Sequence, residues 1–190
     1  MSIVFAEITM SLDGYVAGEN ITIQQPMGNG GIRLHEWIFD KKTPADDELV
    51  EEFMNESGAF IVGNHTYSTA IDTGWNNRTP FPSPAFVVCH QKPSQAVEGF
   101  IYSTGTLKET LADARRIANG KKVCIMGGAS IIQQYLEAGL VEELKIHIAP
   151  MLLRRGVRLF DNMGKGLIGL EQVRLVETPG AIHIKYKVNT

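Results

Sequence analysis

Residues 123–140, "VCIMGGASIIQQYLEAGL", carry an apolar, β-branched run straight into a helical pattern, with Gly127 and Gly128 at the junction. The run predicts a buried strand and "ASIIQQYLEAGL" a helix. Such a run does not need two glycines merely to turn. The pair predicts that something approaches this backbone closely enough to exclude a Cβ.

The neighbouring segments repeat the pattern. "TLKETLADARRIANG" (106–120) has Thr106 and Glu109 in capping-box spacing and a closing glycine, which predicts a helix. "ELKIHIAPML" (143–152) predicts the next strand. Upstream, "IVFAEITM" (3–10), "GAFIVG" (58–63) and "AFVVCH" (85–90) read as buried strands, and "FIYS" as a short fourth. "TPADDELVEEFMNES" opens with Thr43, Pro44 and Asp46, a helix-start signal, and "IRLHEWIFD" predicts a short helix. The end, "LEQVRLVETPGAIHIKYKV", alternates around Pro179-Gly180 and predicts an antiparallel hairpin over 169–178 and 181–189. Strands alternating with helices predict a three-layer α/β fold, with a mainly parallel sheet and an antiparallel edge. With no linker or repeat in view, residues 1–190 read as one domain.

Composition narrows the function classes. Hydrophobic residues make up 44% and charged residues 21%, as in a soluble globular protein. A net charge of -3 gives no reason to expect a nucleic-acid partner. No apolar run is long enough to span a membrane, and the start reads as a strand rather than a leader, so a cytoplasmic protein is expected. Cys89 and Cys124 fall in expected strands and read as reduced, buried thiols. No two histidines have metal-ligand spacing, so no metal is expected.

In open α/β sheets ligands bind beyond the carboxyl ends of the strands. Gly127-Gly128 has such a place, followed by a helix N-terminus whose free N–H groups favour an anion. Gly63, between "FIVG" and "NHTY", has another. Two such junctions could clamp a pyrophosphate, although each glycine would equally permit a tight turn.

The ordered set "ITMSLDGYVAG", "GAFIVGNHTYS", "AFVVCH", "GGASIIQQYLEAGLVEELKIHIAP" and "GVRLFD" resembles the dihydrofolate-reductase-like superfamily. The resemblance is nearest to the reductase domain of bifunctional riboflavin-biosynthesis enzymes, in stand-alone form. It implies an NADPH-dependent reductase. It places the cofactor against Gly127 and Gly128, commonly joined by a cis peptide, with Ala129, Ser130 and Ile131 offering N–H groups to the pyrophosphate. Gly63, Asn64, His65 and Thr66 match the second phosphate junction. Cys89 and His90 match the adenosine side, and Thr9, Val16 and Ala17 the nicotinamide wall. It also implies a homodimer.

Departures from the family pattern bear on the substrate. Asn64 stands where the family has arginine or lysine, with His90 and Arg78 as candidate substitutes. Dihydrofolate reductases hold the pterin with an acidic residue shortly before a tryptophan; aligned on Trp37, that position is Leu34. Glu36 is turned about 200° from Leu34 on a helical wheel. Met126 stands where riboflavin-pathway reductases carry an acid. Leu34, Trp37, Met126 and the turn residue Asp13 are the candidate substrate contacts, and His35 and Glu36 the candidate catalytic pair. His147 and His183 read as satisfied structural residues. The leading expectation is reduction of a pyrimidine- or pterin-type heterocycle. A nucleotide-binding protein without catalysis is the alternative, and dihydrofolate reduction is disfavoured.

Overall fold

A computed structural model describes residues 2–189. Strand β1 (Val4–Ser11) runs through the middle of the molecule, with Val4, Phe5 and Ala6 fully enclosed. That agrees with a strand covered on both faces, whose apolar run need not alternate. Strands β3 (Ser57–Gly63), β4 (Ala85–Val88), β5 (Phe100–Ser103), β6 (Lys122–Gly127) and β7 (Glu143–Ala149) lie parallel to it. The hairpin β9 (Gly169–Glu177) and β10 (Ile182–Asn189) adds antiparallel pairing on β7. The order of this eight-stranded sheet is β5-β4-β3-β6-β1-β7-β10-β9.

Helices close both faces. On one, α4 (Leu107–Ala118) and α5 (Ala129–Glu137) bury Leu111, Ala114, Ile132 and Tyr135 against Val4, Ile61 and Ile125. On the other, α2 (Pro44–Glu56) and α3 (Asn64–Ala70) cover an aromatic core of Phe5, Phe60, Phe81 and Phe100. A 3₁₀ turn over Gly31–His35 leads into the single turn α1 (Glu36–Phe39). Both capping boxes form: Thr43 with Asp46 starts α2, and Thr106 with Glu109 starts α4.

Three details depart from the sequence expectation. Strand β4 stops at Val88, and Cys89 instead donates its N–H to the Ser103 carbonyl at 3.0 Å. Helix α5 ends at Glu137. A two-stranded ribbon of β2 (Tyr15–Ala17) and β8 (Val157–Arg158) has no signal in the sequence pattern. Segments this short show no readable alternation. Cys89 and Cys124 are free and buried, and no helix among the described residues is long and apolar enough to cross a membrane.

Candidate cofactor and substrate cleft

The carboxyl ends of β1, β3, β4 and β6 open into a cleft of about 1060 Å³. Two strand–helix junctions form its floor. Gly63 and Gly128 are the N-caps of α3 and α5, and neither helix start receives a side-chain cap. Helices α2 and α4 cap themselves, whereas the first N–H groups of α3 and α5, at the cleft floor, have no side-chain acceptor. The junctions touch each other. A Cβ on Gly128 would lie 3.0 Å from Thr66 Oγ1, and one on Gly63 3.5 Å from the Ile131 side chain. The Gly127-Gly128 bond is cis, and Gly127 has φ +124°, a region that favours glycine.

Thr9, Val16, Ala17, Gly63, Asn64, His65, Thr66, Cys89, His90, Gly127, Gly128, Ala129, Ser130 and Ile131 all line this cleft. So do His35, Trp37 and Met126. Burial raises the Cys89 thiol pKa, partly offset by Lys92, so it faces the cleft as a neutral group. The residues present suit a dinucleotide: open helix N–H groups, a backbone without Cβ, and an apolar wall for flat rings.

Three expected contacts are not brought to the cleft. Leu34 is fully buried beneath the 3₁₀ turn and lines no part of it. Glu36 faces outward, paired with Arg33 at 2.8 Å and Lys41 at 2.5 Å, and their hydrogen bonds hold its carboxyl below the usual range. Asp13 accepts from Ser11 Oγ at 2.5 Å and from the backbone N–H groups of Leu153 and Arg154 at 3.1 and 2.8 Å, closing a turn. Arg78 lines no part of the cleft either.

A polar group that the sequence reading did not assign to the site also reaches the cleft, and it includes His147, read there with His183 as a structural residue. Glu7 and His147 line it, and behind them stand His183 and Asp46. His147 Nε2 is 3.1 Å from Glu7 Oε1, and its Nδ1 is 2.8 Å from His183 Nδ1. His183 Nε2 is 3.0 Å from Asp46 Oδ1. Trp37 lies over both imidazoles, with ring centroids 4.6 and 4.8 Å away, and donates Nε1–H to Thr9 Oγ1 at 3.2 Å. Burial, then the charge of His147, lowers the His183 pKa to about 4 despite Asp46. The same causes lower His35 to about 4. Burial opposes ionisation of Asp46, but hydrogen bonds from Thr43 and Thr178 and the nearness of His183 outweigh it, leaving its pKa lowered. Available signals were Glu7, a lone carboxylate in an otherwise apolar strand, and the alternation of "LKIHI" and "IHIKY", which places both histidines on one face. Among the described residues no group of three potential ligands is placed to hold a metal.

Sheet order, hairpin and cleft together define an α/β protein of the dihydrofolate-reductase-like fold, with a cleft at the carboxyl edge of the sheet. Residues 2–183 match the model of the RibD C-terminal domain, and the chain belongs to that family. A Shewanella sp. PV-4 protein assigned to riboflavin biosynthesis superposes with a TM-score of 0.76 at 21% identity, covering 100% of both chains. A pyrimidine reductase-like protein from Corynebacterium diphtheriae gives 0.68 at 16% identity, over 100% of this chain and 92% of the other. Dihydrofolate reductase from Enterococcus faecalis, complexed with NADP(H), gives 0.64 at 16% identity, over 99% and 97%. At these identities the likeness concerns the fold. No curated protein matches by sequence.

Proposed function

We propose that the protein is an NADPH-dependent reductase of a small pyrimidine-type heterocycle, resembling 5-amino-6-(5-phosphoribosylamino)uracil reductase. One observation carries the reading: the two helices that start at the cleft floor, α3 and α5, have glycine N-caps and no side-chain cap, side by side. Ala129, Ser130 and Ile131 would hold the pyrophosphate from one side, and Asn64, His65 and Thr66 from the other. Cys89 and His90 would flank the adenosine, and Thr9, Val16 and Ala17 the nicotinamide. The cofactor supplies a hydride when bound. The chain's own part is to set two flat rings against each other, exclude water and supply a proton. Family membership and the dinucleotide named with the Enterococcus structure support the same reading.

We also propose a homodimer. Register places Ile146, Ile148, Ile182 and Ile184 on one face of β7 and β10, with Leu175 opposite Ile184 and Leu170 opposite Val188. Leu170 and Leu175 on the edge strand β9 and Ile182 on β10 beside it are each more than 40% exposed, and a second copy would cover them.

A thermal-shift series with NADPH, NADH and FAD tests the cofactor, followed by NADPH oxidation with pyrimidine and pterin substrates. A shift with a reduced nicotinamide and turnover with a pyrimidine is the expected result. Binding without turnover on any heterocycle would leave only the non-catalytic alternative.

A further inference from the structure

Three apolar side chains line the cleft and yet remain in water. Ile32 on the 3₁₀ turn, Phe39 on α1 and Met54 on α2 are 61%, 70% and 36% exposed. A single exposed apolar residue needs no account, but three of them on the rim of one concave site do. The apolar wall continues inward from Met54. Between ring centroids, Phe53 lies 5.5 Å from Phe60, Phe60 stacks on Phe81 at 4.4 Å, and Phe81 meets Trp75 edge-on at 5.7 Å. Phe53, Phe81 and Trp75 each reach the cleft. The geometry points to a substrate without a phosphate: a flat, uncharged heterocycle carrying an aromatic arm, which Ile32, Phe39 and Met54 cover.

This inference rests on the reductase reading and narrows it. The reaction class is kept, and an aryl arm takes the place of a phosphorylated sugar. Burial of such an arm removes the exposed rim from water, as apolar pockets do for flat ligands.

The charges around the rim agree with that choice. A phosphate is held by guanidinium or ammonium groups or by a free helix start. The helix starts without a side-chain cap, α3 and α5, face the cofactor's pyrophosphate in the same reading. Helix α2, which carries Phe53 and Met54, is closed by its own capping box, with the Thr43 N–H donated to Asp46 Oδ2 at 2.8 Å. The cations next to the rim residues in the chain are paired. Arg33 and Lys41 both hold Glu36, and Lys42 holds Asp47. Val157 lines the cleft, but its strand neighbour Arg158 stands over the Tyr15 ring at 4.8 Å. Glu7, an acid, adds no attraction for an anion. A phosphate drawn against this wall would lose its water with no charged partner in exchange.

The chemistry is that of the reductase. The carbon of a C=N group takes the hydride of the reduced nicotinamide, and the π pair moves to the nitrogen. The nitrogen takes one proton, drawn in the end from water.

Calorimetry on the intact protein, with and without NADPH, compares two uracils. One is 5-amino-6-(5-phosphoribosylamino)uracil; the other is 5-amino-6-(benzylamino)uracil, whose benzyl group replaces the sugar phosphate. The benzyl compound is expected to bind at least about tenfold tighter. Phe39→Ala should cost it about tenfold while NADPH affinity stays within about twofold, and Ile32→Ala should act in the same direction. Both side chains are largely exposed, and circular dichroism checks that both variants fold. A phosphoribosyl compound that binds as tightly or more tightly, with an affinity that falls as salt is raised, overturns the inference. So does a Phe39→Ala protein that changes its oligomeric state and keeps its affinity for the benzyl compound, because a second copy then covers the rim. NADPH oxidation with 5-benzylideneamino-6-aminouracil, an aryl imine, is read separately. If the benzyl compound binds through Phe39 and neither that imine nor any other heterocycle is reduced, the reductase reading fails while the aryl preference stands.

Discussion

His147 and His183 face each other across β7 and β10, Nδ1 to Nδ1 at 2.8 Å, with Trp37 covering both rings. Burial, and then the nearness of His147, keeps His183 from taking up a proton and lowers its pKa to about 4. This affects stability as well as chemistry.

Acid should destabilise the fold above the range where carboxylates titrate. His35 and His183 have folded-state pKa values near 4, against an ordinary 6.5. Above the ordinary value both are neutral folded or unfolded, and no penalty exists. As pH falls from 6.5 toward 4 the unfolded chain takes up protons that the folded chain refuses, so stability is lost across that window. Each group contributes up to about 3 kcal/mol by the lower end. Urea unfolding at pH about 7 and about 4.5 should show the loss, and His35→Gln should reduce it markedly. A flat profile would show that both imidazoles protonate freely in the folded state.

Gly128→Ala should weaken NADPH binding by about tenfold, or about 1.4 kcal/mol. The new Cβ would press on Thr66 Oγ1 at 3.0 Å and separate the two open helix starts. Circular dichroism should show the fold retained, while fluorescence titration reads the affinity. Undiminished binding would mean that the two junctions do not act on one pyrophosphate.

Dihydrofolate should be a negligible substrate. Among the described residues Glu7 is the one carboxylate that lines the cleft, and its oxygens already face His147 and Lys145 at 3.1 and 3.5 Å. It has no free edge for the paired hydrogen bonds of an aminopterin ring, and unpaired buried donors cost several kcal/mol. Glu36→Gln should leave any turnover unchanged, because Glu36 points at Arg33 and Lys41. Robust dihydrofolate turnover lost in Glu36→Gln would mean that α1 turns over on binding.

The parallel strands were legible because each is a compact apolar run ending at a turn signal, and the two capping boxes because four residues suffice to write one. The cleft floor was legible through Gly63 and Gly127-Gly128. The substrate end was not. Aligning an acid position on Trp37 gives Leu34, but Leu34 packs into the core, and Glu36, on the opposite side of the turn, is held by Arg33 and Lys41. His147 and His183 were visible as residues on one face, but their meeting depends on pairing across 36 positions. Their link to Glu7 depends on β1 and β7 lying side by side, which no local pattern states.

The exposed apolar face of the hairpin predicts its own test. Leu175→Lys should shift the protein from dimer toward monomer in light scattering, since a buried, unpaired ammonium is costly at an interface. NADPH affinity should stay within about twofold, because Leu175 lines no part of the cleft. A wild type that is monomeric at all concentrations would remove the dimer proposal and leave the cleft unaffected.

Preference for NADPH over NADH should be narrow. A 2′-phosphate is recognised by guanidinium or ammonium groups. Among the described residues no lysine or arginine lines the cleft, and Asn64 starts α3 where a cation would reach the phosphates. The remaining nitrogen bases near the adenosine end are His65 and His90. The expected ratio of dissociation constants is within about tenfold at physiological salt, a difference of about 1.4 kcal/mol or less. Asn64→Arg should widen it by about another tenfold, acting on NADPH alone, and the gain should shrink as salt is raised. His90→Gln should narrow it. Titrating both dinucleotides into the three proteins decides the matter. A wild type that already prefers NADPH more than a hundredfold, unmoved by either substitution, would mean that the phosphate is bound by something other than these side chains.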